Sequence, residues 1–300
     1  MARRPKPVPQ MTVPQFEAAF PDEEACKTYL MKRRWPLGVR CARCKNDKVF
    51  PVGSMPFKWQ CYKCAPGSGY RFSVIAGTIF ENTNKPLRDW FRVVHLMLHG
   101  KKGTSALQIQ RTMDFGSYET AHSMCHKIRA ALIEPEAKLG GIVEVDETFI
   151  GGKDKNKHFS KRSGGTGPYG SGKTPIIGAV SRKGNVVARV LDKVTKHSAE
   201  AFVREVVSNK VSLLATDENG VYIGLHDYAH GTVDHRAKEY VYGAIHTNTI
   251  EGFWSLFKRG IVGSYHKVSR KYLPLYVAEF QFRYNNRHNP DIFAAAIAAA

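Results

Sequence analysis

The spacing of apolar residues along the first half of the chain predicts helices. Residues 14–33 show helical spacing, and residues 86–100 carry apolar side chains at i, i+3, i+4 and i+7, which is typical of an amphipathic helix. Two shorter helices are predicted next, one beginning near Ser105 and one capped by Ser117, joined by a tight turn that contains glycine. Such a pair is typical of a helix-turn-helix, although an ordinary helical hairpin has the same pattern.

The second half of the chain alternates between apolar and polar residues with the period of a strand. Strands are predicted at Ile142–Phe149, Ile176–Ser181, Val186–Val194 and Val211–Thr216, with a helix around Phe202 before the last of them. Hairpin-like strands followed by a helix and a further strand indicate a mixed α/β domain with a central sheet.

A polar segment separates the first two of these strands. Residues 153–174 are rich in Lys, Gly and Ser and are predicted to form a mobile basic loop. Within it, Gly167–Thr174 matches the phosphate-binding pattern G-x-x-x-x-G-K-[ST], but that site needs a strand before it and a helix after it. The residues after Thr174 indicate a strand instead, so we predict no nucleotide site here.

Four of the six cysteines form two C-x-x-C pairs separated by 16 residues. They are Cys41, Cys44, Cys61 and Cys64. Two such pairs can direct four thiolates at one centre, which is the tetrahedral ligand set that Zn²⁺ prefers. Four protein ligands leave no open coordination position, so the predicted zinc is structural and not catalytic. A segment of about 40 residues is too small for its own core, so the metal stabilises it. A redox disulfide pair is the alternative. Cys26 and Cys125 lie on apolar helical faces and are interpreted as buried thiols.

The charge balance indicates the kind of partner. The chain has 300 residues, room for about two domains. Its 45 Lys and Arg against 26 Asp and Glu give a net charge of +19, which favours a polyanion, nucleic acid first. No apolar run approaches the roughly 20 residues of a membrane span, and the basic N-terminus lacks the apolar core of a secretory signal. We therefore expect an intracellular protein associated with nucleic acid.

Acidic residues are scarce in this chain, so acids within apolar strands need an explanation. Asp146 lies in the first predicted strand of the α/β domain, and Asp217 ends a strand in which Leu213 and Ala215 share its face. A carboxylate on the core-facing side of a strand is costly unless it is paired or binds a cation. The two acids together predict a Mg²⁺ site, although each alone could cap the next turn.

The segment Thr247–Lys258 predicts a third element of this site. Its apolar residues define one face of a helix that Thr249 can cap, and Asn248, Glu251 and Lys258 follow a polar stripe along it. On this stripe Glu251 can bind a metal while Lys258 reaches a phosphate. A solvated surface stripe is the alternative interpretation.

The order of these features resembles the DDE transposases, and more closely the insertion-sequence transposases of the IS1595 (ISXO2-like) family. The resemblance covers residues 20–295 and rests on five motifs. They are Trp59–Cys64, Ala76–Phe80, Val145–Thr148, His246–Trp254 and Phe282–Arg287.

The resemblance implies a fold, a chemistry and a set of roles. The fold is an RNase H-like mixed sheet on which Asp146, Asp217 and Glu251 hold Mg²⁺ or Mn²⁺, with Lys258 as a cation beside the DNA. Asn248 is either a supporting residue or the alternative third catalytic residue, since some relatives place Asn there. The reaction is cleavage of DNA at terminal inverted repeats by a two-metal mechanism, followed by strand transfer to target DNA.

Four domains are predicted: an N-terminal arm and helix (1–35), a zinc ribbon (36–80), a helix-turn-helix-like DNA-binding segment (81–138) and an RNase H-like catalytic domain (139–295). We expect the protein to be cytoplasmic and nucleoid-associated, with DNA and no membrane as partner. At least a dimer should act, because two element ends are joined together. A structure-selective nuclease on the same fold and a non-catalytic zinc-ribbon regulator are the alternatives.

Overall fold

A computed structural model describes residues 11–135, 137–152, 156, 158–162, 172–217, 219–233 and 246–300. The predicted N-terminal arm and most of the predicted basic loop, including residues 163–171, lie outside these ranges. In the described residues the helices are α1 (Val13–Ala19), α2 (Glu23–Arg34), α3 (Leu87–His99), α4 (Ala106–Met113), α5 (Tyr118–Ala131), α6 (Lys196–Val206), α7 (Asn248–Gly260), α8 (Leu273–Asn285) and α9 (Ile292–Ala299). The strands are β1 (Phe50–Pro51), β2 (Lys58–Cys61), β3 (Tyr70–Ser73), β4 (Ile142–Ile150), β5 (Thr174–Ser181), β6 (Val186–Val190), β7 (Leu213–Asp217) and β8 (His230–Val233).

The chain divides into two compact units. The N-terminal unit contains the residues up to Leu132 together with Arg287–Ala300, and the central unit contains Ile133–Asn286. The last helix, α9, belongs to the N-terminal unit because it packs among the helices of that unit. The four predicted domains and their boundaries stay predictions.

Aromatic side chains form the core of the N-terminal unit. Phe16 of α1, Phe20, Phe91 of α3 and Phe293 of α9 are each at most 4% exposed. The ring centroid of Phe293 lies 5.5 Å from that of Phe20 and 5.6 Å from that of Phe91. Large rings packed edge to face bury much apolar area in a small volume, so the last helix completes a core that the first three helices begin.

The predicted helix-turn-helix pattern is present as two capped helices. The hydroxyl of Ser105 accepts the amide of Gln108 at the start of α4, and that of Ser117 accepts the amide of Glu119 at the start of α5. Asp114 ends α4 in the left-handed conformation, with φ of 51°, which turns the chain into α5 within four residues. The helix predicted over residues 86–100 is α3, which ends at His99 with Gly100 as its C-cap.

The central unit is built on a mixed five-stranded sheet with the order β6-β5-β4-β7-β8. β5 pairs antiparallel with both β4 and β6, whereas β7 pairs parallel with β4, and β8 pairs parallel with β7. The structure therefore confirms the predicted mixed α/β fold, with the zinc-ribbon segment and its three-stranded antiparallel sheet β1-β2-β3 before it. Thr174 begins a strand and not a helix, as the sequence predicted.

Helices cover both faces of this sheet. Phe202 and Val203 of α6 pack against Val143 and Val145 on one face of β4. On the other face, an apolar core from α7 and α8 packs against β5 and β6. A Cβ atom on Gly178 of β5 would lie 2.6 Å from the ring of Trp254, so only glycine lets α7 approach the sheet this closely. No helix in the described part of the chain is long and apolar enough to cross a bilayer.

Candidate active site and metal centres

The four cysteines predicted to bind zinc lie together in the N-terminal unit. They are Cys41, Cys44, Cys61 and Cys64, and their sulfur atoms all lie within 4.8 Å of one another. The Sγ atoms of Cys41 and Cys64 are 3.6 Å apart, and those of Cys44 and Cys61 are 3.7 Å apart. A small core that includes Phe72, Trp35 and Trp59 packs around the cluster. Four converging sulfurs fit a closed tetrahedral site, so these residues suit a structural Zn²⁺.

The two predicted aspartates meet because of the register between β4 and β7. These strands pair in parallel, with Ile142 beside Leu213 and Glu144 beside Ala215. Continuing that register by two residues brings Asp146 alongside Asp217, the last residue of β7. The sequence predicted the two acids without this register, and the structure brings their carboxylate oxygens within 4.8 Å of each other.

Glu147 belongs to the same cluster, although the sequence analysis did not assign it. One of its carboxylate oxygens lies within 4.8 Å of those of Asp146 and Asp217. The hydroxyl of Tyr222 donates to Glu147 over 2.6 Å, and the side-chain amide of Asn219 donates to its other oxygen. The backbone amide of Asn219 donates to Asp217 over 3.1 Å. Asn219 therefore links Asp217 to Glu147 across the end of β7.

The acids destabilise each other's charge. Burial raises the pKa of Asp146 to about 8, and the charges of Glu147, Asp217 and Glu251 add to the effect. Three carboxylates this close repel one another in water-poor surroundings, and a hard divalent cation with oxygen ligands relieves that repulsion. The donor set therefore fits Mg²⁺ or Mn²⁺.

Glu251 lies near this cluster but outside it. It sits in the first turn of α7 and accepts the hydroxyl of Thr247 over 2.8 Å. Among the described residues, the three acids whose carboxylate oxygens all lie within 4.8 Å of one another are Asp146, Glu147 and Asp217, and Glu251 is not a member of that group. Its charge nevertheless contributes to the raised pKa of Asp146, so the two carboxylates interact electrostatically.

The predicted polar stripe of α7 is exposed, and the apolar face is buried. Asn248, Glu251 and Lys258 are exposed, while Phe253 and Phe257 are at most 1% exposed. The predicted cap is wrong by two residues, because Thr247 precedes the helix and Thr249 lies in its first turn. The backbone amide and the hydroxyl of Thr249 both donate to Glu144 of β4, so its side chain bonds to the sheet and does not cap the helix.

Two comparisons with protein families agree with this architecture. Residues 21–66 match the transposase zinc-ribbon domain, and residues 138–285 match the ISXO2-like transposase domain. The first range contains the four clustered cysteines, and the second contains the acid cluster and α7. The fold and both sites thus define a DDE-type transposase with a zinc ribbon. The chain belongs to the IS1595 family of insertion-sequence transposases.

Individual relatives are more distant. The chain is 28% identical over 277 residues to a Halobacterium salinarum protein described as an uncharacterized protein in transposable element ISH50, covering 88% of this chain and 91% of that one. The chain was also aligned with a solved structure, the simian T-cell lymphotropic virus intasome in complex with PP2A regulatory subunit B56 gamma. The alignment covers 64% of this chain and 65% of that chain, with 17% sequence identity and a TM-score of 0.30. At that score the second comparison carries no weight.

Proposed function

We propose that this transposase binds the terminal inverted repeats of its insertion sequence, cuts DNA there and joins the freed 3′ end to target DNA. The observation that carries the proposal is the meeting of Asp146 and Asp217 on adjacent parallel strands, beside a helix that presents Glu251. Carboxylates gathered on the sheet of a transposase domain are suited to hold divalent ions at a phosphodiester.

Each residue has a definite task in this proposal. Asp146, Asp217 and Glu251 would hold Mg²⁺ or Mn²⁺, which would activate the nucleophile and stabilise the leaving oxygen. Lys258 follows Glu251 by about two turns on the same exposed face of α7, where its ammonium group contacts the DNA backbone. Asn248 begins the same face and supports the position of Glu251.

DNA binding is assigned mainly to the N-terminal unit. α4 and α5 form a helix-turn-helix-like pair, and α5 exposes Tyr118, Ser123 and Lys127 to solvent. Around the cysteine cluster, Arg43 stacks on Tyr70 with 4.0 Å between guanidinium carbon and ring centre, which holds a cation at the ribbon surface. The net charge of +19 supplies the general attraction for phosphates.

The test uses duplex DNA that ends in the terminal repeat of the element. Wild-type protein should nick this DNA at the end of the element in Mg²⁺ or Mn²⁺, and should join a pre-cut end with a free 3′-OH to a plasmid. Asp217→Asn should bind the DNA but neither cut nor join it, because the substitution removes a metal ligand and a negative charge. The matched control is Asp192→Asn, since the Asp192 side chain in the same unit is 97% exposed.

Three other results would redirect the assignment. Cutting without joining identifies a structure-selective nuclease. Binding without cutting by the wild-type protein identifies a regulator. Binding that does not weaken steeply between low and high salt contradicts the phosphate contacts proposed here.

A further inference from the structure

Glu144 is a buried carboxylate that the proposed chemistry leaves without a role. It lies in β4 on the same face as Asp146, two residues earlier, and is 0% exposed. Burying a charged carboxylate is costly unless strong hydrogen bonds offset the lost hydration. The hydrogen-bond partners of Glu144 therefore indicate its structural role.

The partners of Glu144 converge on the start of α7. Oε2 accepts the backbone amides of Thr249 and Ile250 over 2.7 and 3.0 Å. Oε1 accepts the hydroxyl of Thr249 over 2.8 Å and Nε of Arg182 over 2.6 Å. The same Arg182 donates over 3.0 Å to the carbonyl of His246, just before the helix.

This arrangement replaces an ordinary helix cap. The side chain of Thr247, at the N-cap position, does not bond the helix backbone, and donates to Glu251 instead. The free amides of the first turn therefore find their acceptor on the sheet, where a negative charge also suits the positive end of the helix dipole. Nδ1 of His246 also lies 3.2 Å from Oε1. At either oxygen position a glutamine NH₂ group would face an N–H donor, from the backbone of α7 or from Arg182, so glutamine cannot keep all of these bonds.

We propose that Glu144 is a positioning residue that fixes α7 on β4 and so sets the separation between Asp146 and Glu251. Glu144 and Asp146 are about 7 Å apart along the strand, and Glu251 follows directly after the tethered Ile250. The hydrogen bonds of Glu144 therefore join β4 to α7 at a point two residues from Asp146 and one residue from Glu251. Apolar packing of Phe253 and Trp254 already holds α7 to the sheet, but such packing tolerates small shifts that a set of directed hydrogen bonds does not.

The inference rests on the proposed metal-dependent cleavage, and the test compares two buried glutamates of the central unit. Glu144→Gln keeps the side-chain shape. Glu279→Gln is the matched control, because Glu279 is also 0% exposed and accepts the Tyr265 hydroxyl over 3.1 Å, but on α8. Both variants should lose thermal stability. Only Glu144→Gln should raise the Mn²⁺ concentration for half-maximal cleavage, by about 10–100-fold, the range typical of groups that orient metal ligands.

A second measurement separates this inference from the proposed function. Binding of Mn²⁺ is followed by its electron paramagnetic resonance signal without DNA, so it needs no cleavage. Weaker Mn²⁺ binding in Glu144→Gln but not in Glu279→Gln supports the positioning role even if the wild-type protein cuts no DNA. Equal Mn²⁺ affinity in both variants overturns it.

Glu144→Gln itself could fail to fold, and Thr249 provides the milder change. Thr249→Val removes one donor to Glu144, whereas Thr249→Ser keeps it. The valine variant should shift the Mn²⁺ dependence in the same direction by a smaller factor, and the serine variant should restore it. A Thr249→Val variant with the Mn²⁺ dependence of the wild-type protein would also overturn the proposal.

Discussion

Asp146 carries a proton at a pH where an ordinary aspartate does not. Burial, and then the charges of Glu147 and Asp217, raise its pKa in the folded protein from the ordinary 3.8 to about 8. Between about pH 4 and 8 the folded protein thus holds a proton that the unfolded chain has released. Without Mg²⁺, the free energy of unfolding should fall as the pH rises through this window, by at most about 1.4 kcal/mol per pH unit from this group.

Urea denaturation of the wild-type protein and of Asp146→Asn, each at several pH values, measures this effect. The asparagine variant has no carboxyl to titrate there, so its stability should depend less steeply on pH. Two parallel curves would show that another group is responsible. Affinity for Mg²⁺ should rise with pH up to about 8, since protons and metal compete for Asp146.

Substitutions at Glu251 and Asn248 test which of the two is the third catalytic residue beside Asp146 and Asp217. A charged carboxylate binds a hard cation better than an amide, and the charge of Glu251 acts on Asp146. Glu251→Gln should lower cleavage by several orders of magnitude, and Asn248→Ala by about 10–100-fold. Ser255→Ala, on the same exposed face, is the control. An inactive Asn248→Ala beside a nearly active Glu251→Gln would move the third position to Asn248.

The sequence predicted individual acids but not their partners. Strand period identified Asp146 and Asp217, because one face of each strand is apolar. The same period hid Glu147, since neighbouring residues of a strand point to opposite faces. Glu144 gave no signal, because Thr249, which donates to it, lies 105 residues further along the chain. Contacts of this kind are set by tertiary packing and leave no local pattern.

At the scale of elements, we expect the zinc ribbon to depend on bound metal. Its core around Phe72 is small, so four thiolates on Zn²⁺ should provide most of the stability of residues 36–75. Cys61→Ser should release one zinc per chain and make this segment sensitive to protease. Metal analysis and limited proteolysis measure both effects. Cys125→Ser, a buried cysteine of α5, should keep its zinc. If Cys61→Ser keeps both its zinc and its resistance to protease, the zinc site assigned here is wrong.

The edge strand β6 is protected by side chains of α8. The Asn285 carbonyl accepts the amide of Val186 over 2.8 Å, and its NH₂ group donates to the carbonyl of Val186 over 3.0 Å. Gln281 accepts the amide of Ala188 over 2.9 Å. These amide groups occupy the place of a further strand, and an exposed edge would otherwise pair with other chains.

Asn285→Leu should therefore cost about 1–3 kcal/mol and favour aggregation, because the polar groups of Val186 lose their partners. Chemical denaturation and light scattering measure the two effects, with Gln108→Ala on the exposed face of α4 as control. Unchanged stability would show that water replaces both bonds. The motif Phe282–Arg287 supported the family resemblance, but this structural reason for Asn285 was not readable from sequence.

At the scale of the whole molecule, α9 stabilises a unit that is distant from it in sequence. Phe293 is 4% exposed among Phe16, Phe20 and Phe91. Phe293→Ala should destabilise the N-terminal unit by about 3–5 kcal/mol, the cost of removing a buried ring. Hydrogen exchange should speed up in α1–α3 and stay unchanged in the central sheet. Val262→Ala, at an exposed side chain of the central unit, is the control. Faster exchange in the sheet alone would contradict the assignment of α9.

The return of the chain at Arg287 also sets the order of events on the ribosome. The N-terminal unit is interrupted after Leu132, and all of residues 133–286 must be synthesised before α9 emerges. At 5–20 residues per second, synthesis of the intervening residues delays the last helix of this core by roughly 8–30 seconds. A nascent or prematurely stopped chain thus holds an unfinished N-terminal unit. A complete N-terminal unit occurs only in a chain whose central unit, with its acid cluster, has already been translated.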